Sequence, residues 1–202
     1  MNSRHLVLAG DSIFDNDGYV YGAAGVIEQL RTTLPAHCRA TKIAVDGDCI
    51  QHVDKQLNNL PADATDLIVS VGGNDARKNA SLLSHVTKPD DLKGFLTQPL
   101  QDFRVEYAQM LERIEKTKLR LLVCSIYTQV PFKDPDWRKF APLAISQFNK
   151  VITSEAKRFN IPVLPLPDVC TQEKDFSTFS PIEPSTQGGQ KIVDTIVKMT
   201  LG

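Results

Sequence analysis

The sequence has no paired cysteines. Cys38, Cys49, Cys124 and Cys170 are scattered singly, which excludes a disulfide framework and a C-x-x-C metal or redox site and reads as buried free thiols in a reducing compartment. Neither sign of charge dominates: 23 Lys and Arg stand against 24 Asp and Glu, a formal charge of −1. That balance gives no electrostatic case for nucleic acid or for an anionic membrane surface. No apolar run approaches the roughly 20 residues that cross a bilayer, and the first strand-like segment begins within five residues of Met1, leaving no room for a secretory leader. The expectation is a cytoplasmic protein with neither membrane nor nucleic acid as partner. Internal repeats, low-complexity tracts and linkers are also lacking, and 202 residues fit a single domain, 1–202. G-x-G-x-x-G and Walker loops are absent, so a flavin or nucleotide module has little support.

What is present is alternation. Apolar runs of strand length at 6–10, 39–45, 66–73, 119–126 and 161–166 are separated by helical spacing near 26–31, 50–60, 100–118, 140–156 and 185–201. Prolines and polar residues mark 76–99, 127–136 and 168–180 as irregular or loop. Near-continuous apolar strands alternating with helices indicate a parallel sheet covered on both faces. The predicted fold class is α/β: a three-layer α/β/α sandwich on a flavodoxin-like five-stranded parallel sheet, order 2-1-3-4-5. That order brings the carboxyl ends of the first three strands together, and those ends carry Ser12, Gly47 and Asn74.

The opening strand stops at Gly10-Asp11-Ser12. A serine at this edge is presented on a tight turn as a nucleophile; the plainer reading is a turn whose Asp and Ser cap the next helix. Acyl transfer needs a nucleophile and donors aimed at an oxyanion. Ser12 supplies the first, and its own N–H, the unhindered N–H of Gly47 and the Asn74 side-chain amide supply the second. Taken singly, Gly47 and Asn74-Asp75 are turn or cap residues; three such groups at consecutive strand ends point to a site. Asp11 and Asp75 are expected to brace their loops. Tyr127 and Trp137 either wall a substrate pocket or pack in the core.

With these blocks in place the chain resembles the SGNH hydrolases, the GDSL esterase/lipase family, over essentially its whole length. Gly10-Asp11-Ser12 matches the first block, Gly47 the second, and Gly72-Gly73-Asn74-Asp75 the third. The resemblance implies the SGNH hydrolase fold and a serine esterase acting on a small-molecule ester without a cofactor or metal. The fourth block departs from the family pattern Asp-x-x-His-Pro: here it reads Ser180-Pro181-Ile182-Glu183-Pro184, so Ser180 stands at the acid position and Glu183 at the base position.

The two changes form a coherent pair. A histidine base becomes a cation that a neighbouring Asp stabilises, whereas a Glu base begins as an anion, for which a serine hydroxyl is the better neighbour. Its handicap is basicity, about 4.3 for free Glu against about 6.5 for His, and burial would raise it. Among the histidines, His5 and His37 are expected at the surface, while His52 and His85 are the alternative bases that can approach the site. The contrasting expectation is a catalytically lapsed member that binds an acylated or carbohydrate ligand, or a protein partner, in the same pocket.

Overall fold

The computed structural model describes residues 3–81 and 86–202. Five parallel strands, β1 (Arg4–Gly10), β2 (Cys38–Lys42), β3 (Asp66–Ser70), β4 (Arg120–Cys124) and β5 (Val163–Leu164), form one sheet in the order β2-β1-β3-β4-β5. The register sets Leu6 beside Ala40 on one side and Asp66 on the other, so the ends of β1 and β3 run out together at Gly10 and Ser70. The predicted sheet order is the observed one.

Helices α1 (Val26–Thr33), α2 (Val53–Leu57), α3 (Gly73–Arg77), α4 (Pro89–Glu115), α5 (Pro135–Arg158), α6 (Leu166–Val169) and α7 (Thr186–Leu201) follow in chain order. Side chains alternate across the strands, and the core divides accordingly. Val7, Ala9, Leu67, Val69 and Val123 pack with α2, α4 and α5. Leu6, Leu8, Ile68, Leu122 and Leu164 pack with α1, α6 and α7 on the opposite face. These are the three expected layers.

Several boundaries differ from the sequence reading, mostly at prolines, which that reading treats as breakers. Pro89 and Pro135 sit in first helical turns, where a missing N–H costs nothing, so α4 and α5 start earlier than expected. Asp134 caps α5 by accepting from the N–H groups of Asp136 and Trp137 at 2.9 Å. Pro99 and Pro142 lie inside α4 and α5, held there by the extensive packing of these two helices on each other. The strands after β1 are shorter than their apolar runs, β5 most of all, since Pro162 and Pro165 bracket it and carry no donors. Only a 3-10 turn and the short α2 form over 50–60. His5 is buried rather than superficial, bonded through Nδ1 to Asp63 at 3.0 Å and through Nε2 to Thr41 at 2.8 Å.

Candidate active site

The carboxyl ends of the strands surround one cavity of about 110 Å³. At the end of β1, Gly10 has φ 118°, and a Cβ there would run into the carbonyl oxygen of Ser70. The close approach lets Asp11 N donate to Ser70 O at 2.9 Å. The chain then turns tightly, with Phe14 N on Asp11 O at 3.1 Å and Ile13 N on Asp11 Oδ1 at 3.2 Å. Ser12 sits at the crest of this turn with little exposure. At the end of β3, Gly72 takes φ 115°, and α3 begins at Gly73, setting Asn74 and, one turn on, Arg77 along the cavity.

Glu183 reaches the same cavity from the segment before α7 and is only 4% exposed. Burial pushes its carboxyl up to about 7; the Ser12 hydroxyl facing it pulls the other way, Asp46 adds to the rise and Arg77 opposes it. Oε2 of Glu183 is buried without a hydrogen-bond partner. The carboxyl of Asp11, also buried, is raised by desolvation and further by the charge of Glu183.

Ser12, Asp11, Asn74 and Glu183 therefore line one space, as the sequence pattern requires. Asp75 lies just behind it: Oδ2 accepts from Ile50 N at 3.2 Å and Oδ1 faces Lys78 Nζ at 3.5 Å, which is the bracing expected of it. Gly47 has the positive φ of a tight turn, 81°, but it is exposed and stands outside the cavity lining. Ser180 does not play the part expected of its hydroxyl. It accepts the Glu183 N–H through its backbone oxygen at 3.1 Å, because the turn from 180 to 183 pairs main chain with main chain. His52 is likewise away from the cavity: its Nδ1 accepts from Cys49 N at 2.9 Å, capping the 3-10 turn before α2. His85 lies outside the described residues. Among the described residues no histidine lines the cavity.

The inner wall is apolar. Ile126, Phe132, Trp137, Ile145 and Phe148 surround it, together with Tyr127, so Tyr127 and Trp137 are wall residues as well as packing ones. Sequence reasoning missed Arg77, which a helical spacing of three from Asn74 would have placed. It also missed Asn16, fully buried, whose amide donates to Pro184 O at 3.2 Å and accepts from Val26 N at 2.8 Å. That side chain ties the Ser12 turn to the segment carrying Glu183.

A sheet of this order with a Gly-Asp-Ser turn and a Gly-Gly-Asn-Asp turn at neighbouring strand ends defines the GDSL/SGNH class of ester hydrolases. The family profile of the GDSL-like lipase/acylhydrolases matches residues 8–191, and the chain belongs to that family. Among solved structures it is similar to the lipase/acylhydrolase of Enterococcus faecalis, with 20% identity, a TM-score of 0.69 and coverage of 97% of this chain and 94% of that one. The extracellular lipase of Streptomyces rimosus is 13% identical with a TM-score of 0.73, covering 98% and 100%. A variant of an acetyl xylan esterase from Geobacillus stearothermophilus is 16% identical with a TM-score of 0.64, covering 98% and 94%. At these identities the likeness is one of fold. A search of curated protein sequences finds no match.

Proposed function

We propose that the protein is a serine esterase in which Ser12 and Glu183 form a catalytic dyad. The observation that carries this reading is the buried Glu183 carboxyl, raised to about 7, facing the Ser12 hydroxyl in a cavity whose inner wall is apolar. A general base works best when its pKa lies near the operating pH, and this site supplies that match without an imidazole. In the first step Ser12 Oγ attacks the ester carbonyl while its proton passes to Glu183, which becomes a neutral acid. The tetrahedral oxyanion is held by Ser12 N–H and the Asn74 amide. Asn74 Nδ2 already donates to Asp48 O at 3.0 Å, and an amide nitrogen carries a second hydrogen to offer. Collapse sends the Glu183 proton to the leaving alkoxide. Water, deprotonated by the same carboxylate, then releases the acid from acyl-Ser12.

The apolar wall takes the acyl group, and a volume of about 110 Å³ favours a short chain or a single small ring over a long fatty acid. The whole of 1–202 acts as one domain in this reading. The test is hydrolysis of p-nitrophenyl acetate against pH for the wild type, Ser12→Ala and Glu183→Gln. The esterase reading requires Ser12-dependent turnover that rises through one ionisation near neutrality and is lost in Glu183→Gln. The absence of a lining histidine among the described residues favours one other reading, a lapsed hydrolase that binds an acylated or carbohydrate ligand. No Ser12-dependent rate on any short-chain ester, together with no labelling of Ser12 by an organophosphonate, would put that reading first.

A further inference from the structure

Gln56 lies on α2, outside the cavity lining, and is 4% exposed. Its side-chain amide accepts from Gly10 N at 2.7 Å, donates to Gly10 O at 2.7 Å and donates to Asp48 Oδ2 at 2.6 Å. It therefore grips both main-chain groups of the residue two before Ser12. Through the Asp48 carboxylate it also holds the loop that follows β2. That loop returns the connection, because Asp48 O accepts from Asn74 Nδ2 at 3.0 Å. One buried amide thus links the nucleophile turn, the loop of Gly47 and the side chain of Asn74.

A buried amide is an expensive way to fill space, since an apolar side chain of similar size has no polar groups to satisfy. Its neighbour Val53 meets the core in the ordinary way. Beside the main-chain bonds from Asp11 N to Ser70 O at 2.9 Å and from Val45 N to Gly10 O at 3.0 Å, Gln56 adds a side-chain tie among the three loops that follow β1, β2 and β3.

We propose that Gln56 is a positioning residue that sets the Ser12 turn against the oxyanion donor Asn74. The proposal rests on the esterase reading above. Oxyanion donors act only when they are already in place as charge develops, so an error in their position slows the chemical step and leaves ground-state binding in the acyl pocket nearly unchanged. Gln56 touches neither substrate nor reacting atoms; it acts through Gly10 and Asp48.

The experiment compares Gln56→Leu, Gln56→Glu and the double variant Gln56→Glu/Asp48→Asn with the wild type. The readouts are kcat and KM on p-nitrophenyl acetate, the rate of Ser12 labelling by an organophosphonate, and the melting temperature. In Gln56→Glu the new carboxylate still accepts from Gly10 N, cannot donate to Gly10 O and opposes Asp48. In the double variant the Asn amide donates to that carboxylate and restores the link between the loops. The expected result is a fall in kcat of about 10- to 100-fold in both single variants, with slower labelling to match. KM stays within about threefold, and the double variant recovers at least about fivefold over Gln56→Glu. The proposal is overturned if folded Gln56→Leu keeps kcat within about twofold of the wild type, or if the double variant is no better than Gln56→Glu. Should Gln56→Leu fail to fold, the pair Gln56→Glu and its double variant decides. Wild type with neither turnover nor labelling at Ser12 would instead remove the esterase reading, and the role of Gln56 with it.

Discussion

The turn that presents Ser12 and the segment that delivers Glu183 are built in opposite ways. The turn is seated on the sheet: Gly10 fits against Ser70 of the neighbouring strand, Gln56 bonds both main-chain groups of Gly10, and Asp11 bonds the N–H groups that follow it. The segment from 176 to 185 belongs to no strand and pairs largely with itself and its immediate flank. Phe176 pairs with Pro184 in an isolated antiparallel bridge, Ser177 N donates to Glu183 O at 2.8 Å, and Ser185 N donates to Asp175 O at 2.9 Å. From farther away, Asn16 holds Pro184 and the ring of Tyr21 stacks on Phe179 at 3.6 Å. The first region is fixed by its seat on the sheet, the second by an irregular loop closed on itself and tied to 16–21 from outside. The second buries the Glu183 carboxyl, whose Oε2 has no hydrogen-bond partner among the described residues.

That difference can be broken at either end. The largest effect is expected from Ser12→Ala, which should abolish p-nitrophenyl acetate turnover by about 10³-fold or more while leaving the melting temperature near that of the wild type. Gly10→Ala comes next: it adds a Cβ against Ser70 O at φ 118° and should cost about 3 kcal/mol or more of stability in urea unfolding. Glu183→Gln sharpens the comparison because it should separate activity from stability. Turnover should fall about 10²-fold and lose its rise through neutral pH.

The sign of the stability change follows from the ionisation. The folded carboxyl titrates at about 7 against an ordinary 4.5, so the folded state holds more protons across that window and loses stability as pH rises through it. Glu183→Gln removes that penalty. It should be more stable than the wild type at pH 8, by up to about 3 kcal/mol, and little changed at pH 4. The smallest effect belongs to Phe179→Ala. Phe179 is 57% exposed, and losing its stack with Tyr21 should cost under about 1 kcal/mol.

How much of this was legible in the sequence follows the same division. The sheet order, both core faces and the two glycine-led turns are written in short stretches, where apolar runs, Gly10 and Gly72 act over a few residues. Asn74 and Ser12 were therefore placed together from sequence. Glu183 was placed by register, but its burial was not legible, since that depends on Asn16, Asp175 and the fold of 176–185. The expected bond from the Ser180 hydroxyl to Glu183 is not made; the two residues meet through Glu183 N on Ser180 O. Gly47, expected from sequence as an oxyanion donor, has the positive φ of a turn glycine and stands outside the cavity lining, in a loop stitched by Asp15, Tyr19 and Asp46. Gln56 reads in sequence as one more polar helix residue, and only its partners distinguish it.

The bond from Asn16 to Pro184 spans 168 positions, and that from Arg4 Nη1 to Thr200 O spans 196. Together with the packing of α1 on α7, they make reactivity a property of chain closure. Contacts between elements so far apart in sequence carry the largest loop-closure cost and slow the ordering of the regions that depend on them. In refolding, helical signal should return before any Ser12-dependent turnover, because Ser12 and Glu183 share a cavity only after the two ends of the chain have found each other.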